Sequence, residues 1–269
     1  MKWTDLVPSE FARLARKERV CVVPVGSLER HGEHIPFGCD LVVAETVAQR
    51  AAELEPCVVF PGWFLTQVHE AACFTGTVNL PQALAVEVLS KLLDSIAANG
   101  FEKIVLLNGH GGNNAFLDYF SMSQLDEPRD YVLYTMFTEA AMTPEEEQEI
   151  NNLWETQPLG HACEWETSVY MACQPGKVRL DLAGHTTSEP LGRLAHLRSK
   201  GISNAHWWYA DFPQNVVGQP WAATQEKGEK ALEIMVRSTA RALKLIKEDT
   251  VAPALQKEFL EKVRNKGKQ

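Results

Sequence analysis

The feature that most constrains this chain is an apolar run, Val20 to Val25, that leads directly into a polar, glycine-punctuated stretch ending at Asp40. A continuous apolar run of this length is typical of a buried strand. The stretch from Val25 to Asp40 contains two Glu, two His and an Asp within sixteen residues. Glu29 and His31 are two residues apart, so on an extended backbone they point to the same side. Packing does not explain such a concentration of carboxylates and imidazoles, and the pattern favours half of a metal site.

Strands alternate with helices along the chain, which predicts an α/β fold with a mainly parallel central sheet between two helical layers. Apolar runs predict strands at 20–25, 57–60, 104–107 and 131–137, and apolar periodicity predicts the longer helices at 3–17, 41–55, 81–98 and 221–248. Asp40 is a good residue type to cap the helix that begins at Leu41. No linker, repeat or low-complexity segment interrupts residues 1–269, so we predict a single domain.

Composition excludes several classes of protein. The formal net charge of −9 and the absence of a basic patch argue against a nucleic-acid partner. No apolar run approaches the roughly 18 residues of a membrane span, and the polar start is unlike a signal peptide. The six cysteines are dispersed without CxxC spacing, which is typical of reduced thiols. We therefore expect a cytoplasmic protein that contacts neither nucleic acid nor membrane.

Three separate segments carry side chains suited to chemistry. Two of them follow predicted strands directly, and in an open parallel sheet sites form beyond the carboxyl ends of the strands. Mixed carboxylates and imidazoles suit a divalent zinc, manganese or iron ion, and a carboxylate can also bridge two ions. The three segments contribute Glu29, His31 and Asp40; His110; and His161, Glu164 and Glu166. They predict a site with one or two metal ions.

The same segments match a known family. The stretch from Gly26 to Asp40, the stretch Asn108-Gly109-His110-Gly111-Gly112-Asn113, and the stretch from His161 to Ser168 resemble, in order, three signatures of the creatininase (creatinine amidohydrolase) family. The resemblance extends over roughly residues 20 to 230. It implies a three-layer α/β/α fold, a metal-dependent hydrolase of small amide C–N bonds, and a homo-oligomer, often a hexamer.

The resemblance also implies roles for individual residues. The family's metal ligands fall on Glu29, His31, Asp40 and His110, with Asp40 as the bridging ligand. Its catalytic histidine falls on His161. Three further candidates are Glu166 as a metal ligand, Glu164 as a second catalytic residue and His69 as a substrate-binding residue. The acidic pair has a plainer explanation as well, because negative charge is favoured in the first turn of a helix.

The sequence departs from true creatininases at two places. Creatininases carry a metal-binding Glu where this chain has Gly112, and a Trp-Asp pair where it has residues 157–160. The missing ligand could come from Glu166, or the second ion could be weak or absent. Creatinine is therefore not the expected substrate. The second signature with glycine at position 112 is shared by relatives resembling formamidopyrimidine deformylases and by peptide-trimming members. This resemblance places the chain in a glycine-variant branch of the family.

We therefore predict an amidohydrolase in which a metal-activated hydroxide cleaves a small amide, cyclic amide or formamide. Two alternatives stay open: a metallopeptidase-like protein that trims a short peptide, and a ligand-binding or assembly protein with a purely structural metal. The irregular segment from Gly184 to Pro220 is long enough to be functional or interfacial. Its Trp207-Trp208 pair favours an interface or core element over a substrate platform.

Overall fold

A computed structural model describes residues 1–184 and 189–266 of the chain. His185, in the predicted irregular segment, lies outside the described residues. The central sheet contains β1 (Val20–Val25), β2 (Val58–Val59), β3 (Lys103–Asn108) and β4 (Val132–Phe137). Within the described parts of the chain, these strands pair in parallel in the order β2-β1-β3-β4.

Helices alternate with the strands as far as β4, and the remaining described helices follow it. The helices are α1 (Pro8–Glu18), α2 (Cys39–Leu54), α3 (Gln82–Ala97), α4 (Asn114–Ser123), α5 (Pro144–Asn151), α6 (Glu164–Cys173), α7 (Ala195–Arg198), α8 (Trp207–Asp211), α9 (Gln225–Glu248) and α10 (Val251–Arg264). None of the described helices is both long and apolar enough to span a membrane.

The side chains of the central strands point alternately to the two faces of the sheet, and this divides the core into two halves. In β1, Val20 and Val22 pack into a cluster with α2, α6 and α9, whereas Cys21 and Val23 pack into a second cluster with α1, α3 and α4. The side chains of β3 are distributed between the two clusters in the same way, and both strands are almost fully buried. Because side chains alternate across a strand, each face of the sheet acquires its own helical layer. The predicted three-layer α/β/α fold is confirmed.

Two local predictions differ from the structure. Strand β2 is reduced to Val58–Val59, and beyond it Trp63 meets Val25 through an isolated bridge that lies outside the strand. Helix α2 begins at Cys39 with Gly38 in the capping position, so Asp40 lies inside the first turn and is not the cap. The prediction that Asp40 caps this helix is therefore wrong. Its carboxylate instead accepts a hydrogen bond from the Ser27 hydroxyl and faces the ring of His31.

Candidate active site

The site forms where the carboxyl ends of β1 and β3 meet the first turn of α2. Two glycines allow this close approach. A Cβ atom on Gly26 would lie 2.4 Å from the backbone nitrogen of Leu41, and one on Gly109 would lie 2.6 Å from the carbonyl oxygen of Asp40. Since real Cβ atoms do not approach that closely, any other residue would push α2 away from the strands. The glycines thus bring Asp40 against the residues that follow both strands.

Asp40 lies at the centre of a buried cluster of carboxylates and imidazoles. Its Oδ2 atom is 2.8 Å from Nδ1 of His110 and 2.7 Å from the hydroxyl of Ser27. Its Oδ1 atom is 3.0 Å from Nε2 of His31. Glu29 completes the cluster, with Oε1 at 3.0 Å from Nδ1 of His110. All of these side chains are buried, and the sequence segments that carry them are those predicted to meet.

The electrostatics of the cluster follow from burying opposite charges together. Burial disfavours the imidazolium form of His31, but the adjacent Asp40 outweighs this and raises the pKa of His31 to about 10. Burial likewise opposes charge on His110, yet Glu29 and Asp40 hold the pKa of this imidazole well above its ordinary value. The histidines in turn overcome the cost of burial and lower the pKa of Glu29 and of Asp40. The site therefore retains two ionised carboxylates inside the protein.

The donor atoms of this cluster fit a divalent cation. One ligand atom from each of Glu29, Asp40 and His110 lies within 4.8 Å of the others, and the same holds for Glu29, His31 and His161. Carboxylate oxygen and imidazole nitrogen are the donors that zinc, manganese and iron accept. A third group contains Cys39, but burial raises the pKa of this thiol well above its ordinary value. The oxygen and nitrogen donors are therefore the better match.

His161 and Glu166 border this cluster. The backbone of His161 pairs with that of Val217 through an isolated bridge. The ring of His161 lies with Nε2 3.9 Å from Oε2 of Glu29. Glu166, in the first turn of α6, places Oε2 3.8 Å from Nε2 of His31 and 3.9 Å from Nδ1 of His161. Burial raises the pKa of Glu166 although both histidines oppose it. The structure thus brings both residues to the edge of the donor cluster.

The structure does not bring Glu164 into the site. Its side chain is fully buried at the N-terminus of α6, on the side away from the donor cluster. There, Nζ of Lys227 donates a hydrogen bond to its Oε1 atom over 2.6 Å. The hydroxyl of Thr156 and the backbone nitrogen of Glu155 donate to the same carboxylate. All of these partners anchor α6 to its neighbours and none faces the donor cluster. The structure therefore places the carboxylate of Glu164 in a buried ion pair and not beside the donor cluster, which does not support the prediction of a catalytic Glu164.

A cavity of about 690 Å³ opens onto the cluster. The lining residues include His69, which is exposed and whose Nδ1 is 2.9 Å from Nε2 of Gln82. Trp207 and Trp208 also line it, and the ring of Trp208 stands edge-on to His161 at 6.0 Å between centroids. Both rings form part of the cavity wall, and the expectation that this tryptophan pair serves an interface or the core stays a prediction.

Three further residues at the site were not predicted from the sequence. Asn215 is fully buried with φ of 55°, and its Nδ2 atom donates to the carbonyl of Arg30 over 2.6 Å. Glu139 follows β4, and its Oε1 atom is buried without a hydrogen-bond partner among the described residues. Glu70 lines the cavity beside His110. Of the three, only Glu139 carried a sequence signal, since it follows a predicted strand as Glu29, His31 and His110 do.

Comparison with known proteins agrees with this fold. The sequence matches the family model named Creatininase and described as creatinine amidohydrolase over residues 4–243. It is 30% identical over 230 residues to the mycofactocin precursor peptide peptidase of Mycolicibacterium smegmatis, covering 83% of each chain. It is 27% identical over 256 residues to the creatinine amidohydrolase of Pseudomonas putida, covering 87% of this chain and 92% of that one.

A third relative and a solved structure extend the comparison. The 3-dehydro-scyllo-inosose hydrolase of Thermotoga maritima is 26% identical over 231 residues, covering 80% of this chain and 73% of that protein. A candidate creatinine amidohydrolase from Bacteroides fragilis superposes with a TM-score of 0.77 at 26% identity, covering 93% of this chain and 98% of that one. These matches place the chain among hydrolases with a three-layer α/β/α fold. The chain belongs to the creatininase family.

Proposed function

We propose that this protein is a metal-dependent amidohydrolase that cleaves a C–N bond of a small amide, cyclic amide or formamide. The observation that carries the proposal is the position of the donor cluster. The donors of Glu29, Asp40 and His110 converge within 4.8 Å, and Glu29 and His110 also line the cavity of about 690 Å³. A structural metal site is closed, whereas a catalytic one keeps an open position. A donor cluster at a cavity wall supports catalysis over a purely structural metal.

The residues of the cluster have distinct parts in this proposal. Glu29, Asp40 and His110 would hold one ion, and His31, which lies 3.0 Å from Asp40 and 3.8 Å from Glu166, would contribute to holding a second. A zinc, manganese or iron ion bound there supplies a Lewis acid that polarises a carbonyl and acidifies water. The buried carboxylates keep their charge because the neighbouring imidazoles lower the pKa values of Glu29 and Asp40.

His161 is suited to moving the proton. It borders the cavity and lies 3.9 Å from both Glu29 and Glu166, so its ring stands between the donor cluster and the space open to a substrate. In amide hydrolysis a proton must leave the attacking water and reach the departing nitrogen, and a histidine placed between the two can carry it. Trp207, Trp208 and His69 line the same space and would contact the substrate.

A second candidate function is the trimming of a short peptide. It is favoured by the similarity to a mycofactocin precursor peptide peptidase, which at 30% identity acts, by name, on a peptide. A creatinine amidohydrolase and an inosose hydrolase are similar to this chain at comparable identity. Because relatives at one level of identity act on different substrates, the choice between a small amide and a peptide rests on assay. The resemblance also leads us to propose that the protein is cytoplasmic and forms a homo-oligomer, for example a hexamer. Light scattering of the purified protein would test the oligomeric state.

The proposal is tested by elemental analysis of the purified protein followed by a substrate panel. The panel contains cyclic amides, formamides and short peptides, and it is read out as release of ammonia or amine, formate or free amino acid. We expect a stoichiometric divalent metal and hydrolysis of a small amide or formamide. Amino-acid release alone would favour the peptide-trimming function. A protein without metal, or one fully active after metal removal, would rule out the proposed chemistry.

A further inference from the structure

The two ring nitrogens of His110 have very different surroundings. Nδ1 faces the cluster, 2.8 Å from Asp40 and 3.0 Å from Glu29. Nε2 points the other way, is buried, and lacks a hydrogen-bond partner among the described residues. Buried ring nitrogens of this kind are normally satisfied, so an orphaned one calls for an explanation. The carboxylate of Glu70 lies on this side of the ring, with Oε1 3.8 Å from Nε2.

The absence of a side chain at Gly112 creates the space that Glu70 and His110 share. A Cβ atom at this position would lie 2.2 Å from Oε1 of Glu70 and 2.5 Å from Nε2 of His110. Both distances are far below van der Waals contact, so any other residue here would force the carboxylate and the ring apart. Gly112 is therefore a condition for the approach of Glu70 to His110.

Glu70 is held in this position by Gln67. Glu70 belongs to a short 3₁₀ turn, His69–Ala71, and its Oε2 atom accepts a hydrogen bond of 2.5 Å from Nε2 of Gln67. The same Gln67 amide donates to the carbonyl of Gly112, and its backbone nitrogen donates to Asn113. The loop that carries Glu70 is thus bound to the loop that carries His110. One oxygen of the carboxylate is fixed by Gln67, which leaves Oε1 to face the imidazole.

We propose that Glu70 is a positioning residue for His110, whose Nε2–H it accepts. If Nδ1 bound the cation that Glu29, Asp40 and His110 would hold, the remaining ring proton would stand on Nε2 and require an acceptor. A shift of about 1 Å brings the Glu70–His110 pair to the usual length of a charge-assisted hydrogen bond. A carboxylate on the second nitrogen fixes the tautomer and orientation of a metal-binding histidine and raises its basicity. Glu70 would strengthen metal binding by this route without contacting the ion.

This inference rests on the role of His110 in the proposed function, so its test measures metal binding directly. The dissociation constant for Zn²⁺ is measured by competition with a chromophoric chelator in wild type, Glu70→Ala and Glu70→Gln. Glu87→Gln, an exposed glutamate on α3, is the matched control. We expect Glu70→Ala to weaken Zn²⁺ binding by about 10- to 100-fold. Glu70→Gln should lose less, because its amide oxygen still accepts a hydrogen bond without the charge.

The visible spectrum of the Co²⁺-substituted protein provides a second readout, since it responds to the donor geometry at the ion. We expect it to change in the Glu70 variants and to stay unchanged in Glu87→Gln. Wild-type binding and spectra in both Glu70 variants would overturn the inference while leaving the proposed function intact. If Glu70→Ala does not fold, Glu70→Gln decides: an affinity equal to that of Glu87→Gln overturns the inference. A wild-type protein that binds no metal would overturn both proposals.

Discussion

The Nδ2 atom of Asn215 lies 3.0 Å from Nε2 of His161. The same amide group reaches Oε2 of Glu29 at 3.3 Å, and its oxygen accepts a hydrogen bond of 2.6 Å from the indole of Trp208. One buried side chain therefore connects the cavity wall to the histidine and to a carboxylate of the donor cluster. Asn215 comes from the segment between α8 and α9, close in the sequence to Trp208 but far from His161 and Glu29.

Replacing Asn215 by Ala should lower kcat on the amide substrate found in the panel by about 10- to 100-fold. The reason is positional: His161 loses a partner that fixes its ring, and small misplacements of a reacting group are costly. The KM should change less, because Asn215 is buried behind the cavity wall. Steady-state kinetics test this, with Asn151→Ala at the exposed end of α5 as the control. Equal kcat values in the two variants would contradict the prediction.

Replacing His110 by Ala should remove the bound metal and abolish hydrolysis. His110 is the imidazole that faces both Glu29 and Asp40, so its loss leaves two ionised carboxylates without a nitrogen donor between them. Elemental analysis of the purified variant measures the metal, and the substrate assay measures the activity. His196→Ala, an exposed histidine on α7, should retain both. A metal-free His110→Ala that is still active would refute the mechanism.

Removing the metal from the wild-type protein should lower its melting temperature as well as its activity. An ion that binds only the folded state stabilises that state by about 2.7 kcal/mol when its free concentration is 100 times its dissociation constant. Without the ion, the buried carboxylates of Glu29 and Asp40 keep only the imidazoles as counter-charges. Thermal unfolding with chelator and with restored Zn²⁺ or Mn²⁺ measures the effect. Identical curves would show that the folded protein has no occupied metal site.

The ion pair between Glu164 and Lys227 should make stability depend on pH. Burial alone would raise the pKa of Glu164, but Lys227 and Thr156 lower it below the ordinary 4.5. A carboxyl group with a depressed pKa in the folded state contributes stability above its unfolded pKa. That contribution is lost as the pH falls through the folded value. We expect Glu164→Gln to destabilise the protein by about 1–3 kcal/mol at neutral pH, and by less in acid below that folded pKa.

Urea unfolding at the two pH values measures this difference. Glu53→Gln, an exposed glutamate on α2, makes the same chemical change without a buried partner and serves as the control. A Glu164→Gln variant whose loss of stability is the same in acid and at neutral pH would contradict the assignment of a structural ion pair.

Replacing Gly228 by Ala should destabilise the contact between α6 and α9. A Cβ atom at this position would lie 1.8 Å from the carbonyl oxygen of Ser168, so the two helices would have to separate. Overpacking of this kind costs about 1–3 kcal/mol and occasionally more, and we expect the upper end because the obstacle is backbone. Denaturant unfolding measures it. Gly111→Ala, where a Cβ atom would meet open space, should be nearly neutral.

The layers of the fold were predictable because their signal is local. Strand β1 was predicted with its observed bounds and β3 to within one residue, since both are continuous apolar runs next to glycine. The residues that follow these strands, Glu29, His31 and His110, were candidates for the same reason. Parallel strands present their carboxyl ends at one edge, so the polar residues that follow them meet there.

Local sequence patterns did not predict which of several possible partners a side chain contacts. Asp40 was expected to cap α2, yet its carboxylate faces Ser27 and the imidazoles, because those donors lie across the turn in three dimensions. The neighbouring acidic residues of α6 separate in the same way. Glu166 is at the cluster, whereas Glu164 lies against Lys227, since residues two apart on a helix face different directions.

By itself the sequence determined the three layers, the edge at which polar residues collect and the residue types that suit a divalent cation. Continuous apolar runs, apolar periodicity and the residues at strand ends encode these properties within short windows. Only the tertiary structure decided which carboxylates face the cluster, that Trp208 lines the cavity beside His161 with Asn215 behind it, and that Glu70 lies in the space above Gly112. Those contacts join residues that are distant in the chain, and packing alone brings them together.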